Sequence, residues 1–448
     1  GHLESTILRR PRDTHPRLRD MTQLRAGISR KTITPPTGIH LMGYGNRIQG
    51  NVGAHDDLYV STVAFYDGES YAAILTADHT FINSVLVKRI KAEVTATTPI
   101  EGDAIFLCCS HTHAGPIGYA DHESSPEALA YVDDLVGRCA DSVTDALAEL
   151  QTVTLHAGTD RSQININRRE LSDGGQIVIG ENPEGLVDHE VQVVQLQGAS
   201  GLPVANLVNY SCHPVVMGPL NRQVSADWVG AMRQGVEDAA SGMCLFIQGT
   251  PGDINPRKMR WSEDSWDEVE EQGRDVAAAV VRAFQRLTPV ASGPLRARQQ
   301  DVWLKLLPAR PFDEAFRALV PGITSLEEYH TERQKAFPWH VELDHRDDAT
   351  YSPVAVGTLR LGDWSLATMA TEPFCETGLA IRDGSSAQMT FVSGYTNGCN
   401  SYLPVASAYE SGGYEVETAP LFYKLPSAFS SESEATVRRA ILELLRSD

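Results

Sequence analysis

The sequence has no apolar run of the roughly 18 residues that a bilayer-spanning helix needs, which argues against a membrane-embedded chain. It has no excess of basic charge. Against 58 Asp and Glu stand only 38 Lys and Arg, a formal net charge of −20, which argues against a nucleic-acid partner, since a phosphate backbone calls for a basic surface. It has no CxxC pair, and its seven cysteines (108, 109, 139, 212, 244, 375 and 399) are odd in number. Several of them sit in apolar strand-like runs, so they read as buried reduced thiols rather than a disulfide framework or a thiolate zinc site. The polar, Arg-rich stretch Gly1–Asp20 lacks the apolar core of a signal peptide. A cytoplasmic setting is therefore expected, or a secreted or periplasmic one if an upstream signal has been removed. Internal repeats and low-complexity linkers are absent as well.

What is present is an alternation of strand-like and helical patterns. Apolar runs recur at Tyr71–Thr76, Ala104–Cys109, Val153–Ala157, Val191–Leu196, Val204–Val208, Met243–Ile247, Trp364–Met369 and Met389–Val392. Ser125-Pro126-Glu127 is a cap followed by proline at the first helical position. The spacing Leu129, Val132, Leu135, Val136, Val143, Ala146, Leu147 extends that helix to about Leu150. Further helices are expected after Ser225-Ala226-Asp227-Trp228, over Ser265–Leu287 and over Ser433–Leu445. The pattern predicts an α/β fold of mixed sheets flanked by helices. Residues 1–24 read as an N-terminal extension or cloning remnant, Gly1-His2 as a scar and Met21 as a native start. Residues 25–448 read as one catalytic domain. Within it the charged stretch Pro308–Thr350, with a helix over Glu327–Gln334, reads as a lid or insertion.

Chemistry concentrates where strands end. Ala104–Cys109 runs into Ser110-His111-Thr112-His113-Ala114-Gly115-Pro116. On a strand, residues two apart share a face, which would aim His111 and His113 into one cavity. The ordinary alternative is two surface histidines at a strand end. Pro203–Val208 runs into Asn209-Tyr210-Ser211-Cys212-His213-Pro214, where the proline biases His213 to an extended backbone; taken alone, His213 reads as a structural histidine. Ligands of open α/β sheets bind at the carboxyl ends of strands, so the two turns can share a site. Met243–Ile247 leads to Gly252-Asp253-Ile254-Asn255-Pro256, with Asp253 either orienting a ligand or closing a turn. Trp364–Met369 leads to Glu372-Pro373, where Glu372 completes a two-His, one-carboxylate set or simply starts a helix. Arg168 is an anion clamp or a surface arginine. Asp78 orients a ligating histidine from behind or ends a strand.

Taken in order, these motifs are joined by Ala26-Gly27-Ile28-Ser29, Ile33-Thr34-Pro35-Pro36, Met42-Gly43-Tyr44-Gly45, Gly53-Ala54-His55-Asp56-Asp57-Leu58-Tyr59-Val60, Asn167-Arg168 and the Tyr402…Tyr409…Tyr414-Glu415 stretch. Together they resemble the catalytic domain of the neutral/alkaline (non-lysosomal) ceramidase family. The resemblance implies a zinc amidase that cleaves an N-acyl bond. It implies His111, His213, Glu372 and Tyr402 as zinc ligands. His113 and Arg168 would meet the reacting carbonyl and the tetrahedral intermediate. Asp253 is grouped with them as a candidate catalytic residue, acting like Asp78 from behind the ligands.

Departures from the family pattern matter too. Asn255 stands where the family has serine, so no nucleophilic serine is assigned. Leu403-Pro404 replaces Ile-Thr-Thr. The family's C-terminal immunoglobulin-like domain is not expected, and no long apolar insertion offers to receive two lipid chains. The expected substrate is thus a small or lipid-like N-acyl compound. Two alternatives stay open: a zinc esterase or hydrolase of a small polar or carbohydrate-linked substrate, and a catalytically inactive binding protein of the same fold. A homo-oligomer is also left open.

Overall fold

The structure is a computed structural model. It describes residues 23–447 apart from 46, 48, 120–123, 260–264, 310, 312–316, 318–321, 330 and 332–340. Among the described residues the larger sheet has nine strands. Their order is Met243–Gln248, Pro203–Tyr210, Glu190–Gly198, Gln151–Arg161, Arg25–Thr32, Tyr59–Tyr66, Tyr71–Ala77 and Ile105–Cys109, with Thr288–Pro289 added beside Gln151–Arg161. Only its two outermost pairs are parallel, ending in Ala77 opposite Cys109 and Tyr210 opposite Gln248. Those strands are the near-continuous apolar runs of the sequence, and every residue of Ile105–Cys109 is buried. Strands covered on both faces read this way.

The two outer strands approach each other at their carboxyl ends. There the Gln248 side-chain amide donates to the carbonyls of Ser110 and Cys212, at 3.0 Å each. The sheet thus brings both histidine turns together. Helices Ser84–Thr97 and Pro126–Ala148 pack on each other, and the second covers the Arg25–Thr32 and Tyr59–Tyr66 strands. Ser125 caps the latter helix by accepting from the Ala128 N–H, with Pro126 in the first turn, as the sequence predicts. Helices Trp228–Ala239 and Trp266–Phe284 pack on each other at the other end of the sheet.

A smaller sheet follows. Leu295–Lys305, Ala349–Leu361, Trp364–Met369 and Met389–Ser393 lie in that order, with Asp344–Arg346 on the second of them and helix Ser433–Arg446 against its face. Its last two strands are parallel, and the chain that follows them reaches the ends of both outer strands of the larger sheet, the Gly394 N–H donating to the Gly249 carbonyl at 3.0 Å. The loop after Met389–Ser393 is stitched there: Asn397 exchanges bonds with Leu107 through its backbone N–H and its side-chain oxygen, at 2.9 Å each. Gly252 meets Pro373 at 2.8 Å, N to O, and a Cβ at Gly252 would fall 2.7 Å from the carbonyl oxygens of both Glu372 and Pro373. Only glycine allows that approach.

Of the stretch expected as a lid, residues 326–329 are helical, and Tyr329 donates to the Leu421 carbonyl at 3.1 Å. Thr331 is helical too, while residues 330 and 332–334 of the expected helix, like the N-terminal extension up to Thr22, lie outside the described residues. All seven cysteines are buried and free, as expected. No described helix is long and apolar enough to cross a membrane.

Candidate metal centre

Both histidine turns leave their strands before the histidines. His111 has φ 67°, a left-handed backbone that a residue with a side chain seldom takes. Strand alternation therefore does not apply to His111 and His113. They converge because the chain turns sharply: the His111 N–H donates to the His79 carbonyl at 2.9 Å, and the His113 N–H to the Pro214 carbonyl at 3.2 Å. His111 Nδ1 lies 2.6 Å from the Thr80 carbonyl, and His213 Nδ1 lies 2.9 Å from the Ile254 carbonyl. A carbonyl only accepts, so Nδ1 carries the proton on both rings and each Nε2 offers a lone pair. Both rings are buried. Burial pushes the His213 imidazole down to about 4, so it is neutral.

The carboxylate arrives from the smaller sheet. Glu372–Pro373 pairs in parallel with Tyr402–Leu403, and the register sets Glu372 beside Tyr402. Glu372 Oε2 lies 3.3 Å from His111 Nε2 and 3.3 Å from His213 Nε2. Two further tyrosines hold Glu372, and neither stands out in the sequence. Tyr395 donates to Oε2 at 3.2 Å and stacks on the His111 ring at 3.9 Å, while Tyr423 donates to Oε1.

Arg168 is buried beneath this group. Its Nη2 donates to the Tyr402 hydroxyl at 3.0 Å, its Nε to Glu415 at 2.9 Å, and its Nη1 to Asn255 Oδ1 at 3.4 Å. Glu415, which also binds Arg169, balances the buried charge. His113 Nε2 lies 3.1 Å from His111 Nε2. Unlike the other two rings, His113 has no partner at Nδ1 among the described residues. Gly43, at φ 104°, backs this ring, and a Cβ there would fall 2.5 Å from it.

These residues fit a metal ion. Bonds of 2.0–2.1 Å at tetrahedral angles separate donor atoms by roughly 3.3 Å, the spacing from Glu372 Oε2 to each histidine. His213 Nε2 is buried and has no hydrogen-bond partner among the described residues, as expected of a nitrogen reserved for an ion. Nitrogens of His111, His113 and His213 all lie within 4.8 Å of one another, so His113 can also enter the coordination sphere.

Two carboxylates stand elsewhere. Asp253 spends its oxygens on the Cys375 N–H at 2.8 Å and the Asn167 amide at 3.0 Å. It does not line the cavity above the histidines; it holds the loop whose Ile254 carbonyl orients His213. Asp78 does not orient a histidine ring. It forms a buried two-point pair with Arg233, at 3.1 and 2.9 Å, and accepts from the Tyr59 N–H. Backbone carbonyls take the role expected of it, and these carry no signature in a sequence.

The cavity measures about 260 Å³ and has His111, His113, Glu372, Tyr402, Arg168 and Asn255 at its polar end. Its other walls are largely apolar or aromatic and include Met42, Tyr44, Phe81, Ile179, Val215 and Phe422. The family model for neutral/alkaline non-lysosomal ceramidase, N-terminal, matches residues 24–285. The chain belongs to this family. It is 24% identical over 272 residues to neutral ceramidase A of Dictyostelium discoideum, covering 54% of this chain and 37% of that protein. The family member described here thus spans well under half the length of this curated relative. Its fold is similar to that of the neutral ceramidase from Pseudomonas aeruginosa, with TM-score 0.72 and 17% identity over 95% of this chain and 74% of that one. A ceramidase solved in complex with C2 is similar to the same degree, with TM-score 0.72, 18% identity, and 95% and 75% coverage.

Proposed function

We propose that the protein is a zinc-dependent hydrolase that cleaves the C–N bond of an N-acyl amide. The observation that carries this reading is the meeting of His111 Nε2 and His213 Nε2 at Glu372 Oε2, with His111 and Glu372 lining the polar end of an otherwise apolar cavity. Those three residues and Tyr402 would hold the ion. A bound zinc supplies Lewis acidity, polarising the carbonyl and making water nucleophilic near neutral pH.

The chain's own residues do the rest. The cavity seats the acyl group against Met42, Phe81, Val215 and Phe422. A volume of about 260 Å³ is at the small end for ligand pockets, enough for a short acyl group or the first segment of a longer one. Arg168 places positive charge beside the site where the carbonyl oxygen becomes negative. His113 is neutral: burial, then the neighbouring His111 and His213, keep its imidazole well below the ordinary histidine value. A neutral imidazole accepts a proton from water and returns it to the departing nitrogen. Water oxygen thereby joins the acyl carbon, the C–N bond breaks, and a carboxylate and an amine leave. The seven free buried thiols support a reducing, cytoplasmic setting.

The test is metal analysis of the purified protein with turnover of N-acyl amides, from long-chain ceramides to short polar amides, beside matched esters. The expected result is one zinc per chain and amide cleavage, with both lost in His111→Ala. An active, metal-free His111→Ala variant overturns the assignment.

A further inference from the structure

We propose that Asn255 donates a hydrogen bond to the oxygen of the scissile carbonyl, making it a catalytic residue that this chain has in place of the family's serine. The inference rests on the amide-hydrolase reading above.

Asn255 is 3% exposed and lines the cavity. Its backbone is fixed in the short strand Ile254–Pro256, which pairs antiparallel with Asn165–Leu171 and sets Asn255 opposite Ile166. The preceding residue supplies the carbonyl that orients His213, so Asn255 sits on the same rigid element as a ligand's support.

The amide can face only one way. Arg168 Nη1 lies 3.4 Å from Oδ1, and a guanidinium has donors and no acceptor. The oxygen must therefore face Arg168 and the NH2 must face away from it. That nitrogen has no hydrogen-bond partner among the described residues, so it keeps two N–H groups for whatever occupies the cavity. The adjacent Nη2 of Arg168 holds the Tyr402 hydroxyl at 3.0 Å, so one guanidinium sets Asn255 and Tyr402 side by side. Its own position is fixed by Glu415. A preorganised donor beside the reacting carbon strengthens its bond as charge grows on the oxygen, and so acts on the transition state.

The test compares the zinc-loaded protein with Asn255→Ala, Asn255→Asp and Asn255→Ser. It measures kcat and KM on an N-acyl amide, calorimetric binding of an alkylphosphonate as a tetrahedral anion, and metal content. Asn255→Ala is expected to lower kcat about 100-fold with KM within about threefold, to weaken phosphonate binding at least about tenfold, and to keep its metal. Asn255→Asp, which puts an acceptor where the donor was, is expected to lose more on both readouts. Asn255→Ser has a shorter side chain and is expected to fall between parent and Asn255→Ala. An unchanged kcat, a rise in KM alone, or loss of metal in Asn255→Ala overturns the proposal. If the parent cleaves no N-acyl amide, the functional reading fails. Phosphonate binding then still decides the donor, since equal affinity in parent and Asn255→Ala overturns it.

Discussion

The histidines and the carboxylate of the candidate metal centre are held in opposite ways. On the larger sheet, His111 and His213 are oriented by main-chain carbonyls, those of Thr80 and Ile254. On the two-residue ladder that follows the smaller sheet, Glu372 and Tyr402 are oriented by side chains: Tyr395 and Tyr423 on the carboxylate, Arg168 on the phenol, and Glu415 behind Arg168. A carbonyl survives almost any substitution of its own residue, whereas a hydroxyl or guanidinium vanishes with its side chain. The histidine half is therefore robust and the carboxylate half fragile. The residues matched by the family model, 24–285, hold both histidines, while Glu372 and Tyr402 lie beyond them.

The largest effect comes from removing either half. Glu372→Gln and His213→Ala are each expected to drop bound metal to background and activity by about a thousandfold or more, since each takes one donor from the set. Full metal content and activity in Glu372→Gln would show that the smaller sheet does not belong to the centre.

Next comes the frame beneath the histidines. Asp78→Asn leaves the buried Arg233 guanidinium without its counter-charge. Breaking such a pair by removing one partner costs about 3–5 kcal/mol, read as a lower urea midpoint. Asp78 touches no ligand ring, so the folded fraction should bind metal with unchanged affinity. Weaker metal binding with unchanged stability would return Asp78 to the role expected of it from the sequence.

That mistaken expectation shows what a sequence can reveal here. Strands buried on both faces were legible, because Ile105–Cys109 is apolar throughout and Met243–Gln248 is apolar up to Ile247. Arg25–Thr32 and Leu295–Lys305 were not, since their part-exposed polar residues dilute the pattern. His213 was picked out by its strand and its proline, but as a ligand it entered by resemblance, since alone it read as structural. Asp78 looks the same in a sequence whether it faces an imidazole or an arginine of a distant helix. The Glu372–Tyr402 ladder is two residues long, too short for any periodicity, and Tyr402 entered only by resemblance. Tyr395 and Tyr423 resemble ordinary core tyrosines, and the left-handed backbones of His111 and Tyr395 leave no mark in residue type.

A smaller effect separates the frame from the ligands by pH. His79 is fully buried, 3.2 Å from the Tyr131 hydroxyl, and burial pushes its imidazole down to about 4. In the unfolded chain it titrates near 6.5. Its folded value is the lower one, so its contribution to stability is complete above about 6.5 and is lost as pH falls towards 4, because the unfolded chain takes up the proton first. Between pH 7 and 5 this costs roughly 2 kcal/mol. Urea unfolding of chelator-treated parent and His79→Gln at both values isolates it: the parent should lose about that much more stability than the variant. Equal losses would mean that the native state already accommodates the charged ring.

The smallest effects probe the contrast itself. Tyr423→Phe keeps the ring that packs 5.5 Å from Phe81 and removes only the hydroxyl that donates to Glu372. Removing an outer-shell partner of a ligand typically costs 10–100-fold in metal affinity. The lower figure is expected here, because Tyr395 still holds the carboxylate. Ile254→Val changes the side chain of the residue whose carbonyl orients His213 and leaves that carbonyl in place, so affinity should stay within about twofold. Chelator competition measures both. A tenfold loss in Ile254→Val would mean that packing, not the carbonyl, orients His213. No loss in Tyr423→Phe would mean that Glu372 is held by the histidines and Tyr395 alone, and the two halves of the centre would then be equally robust.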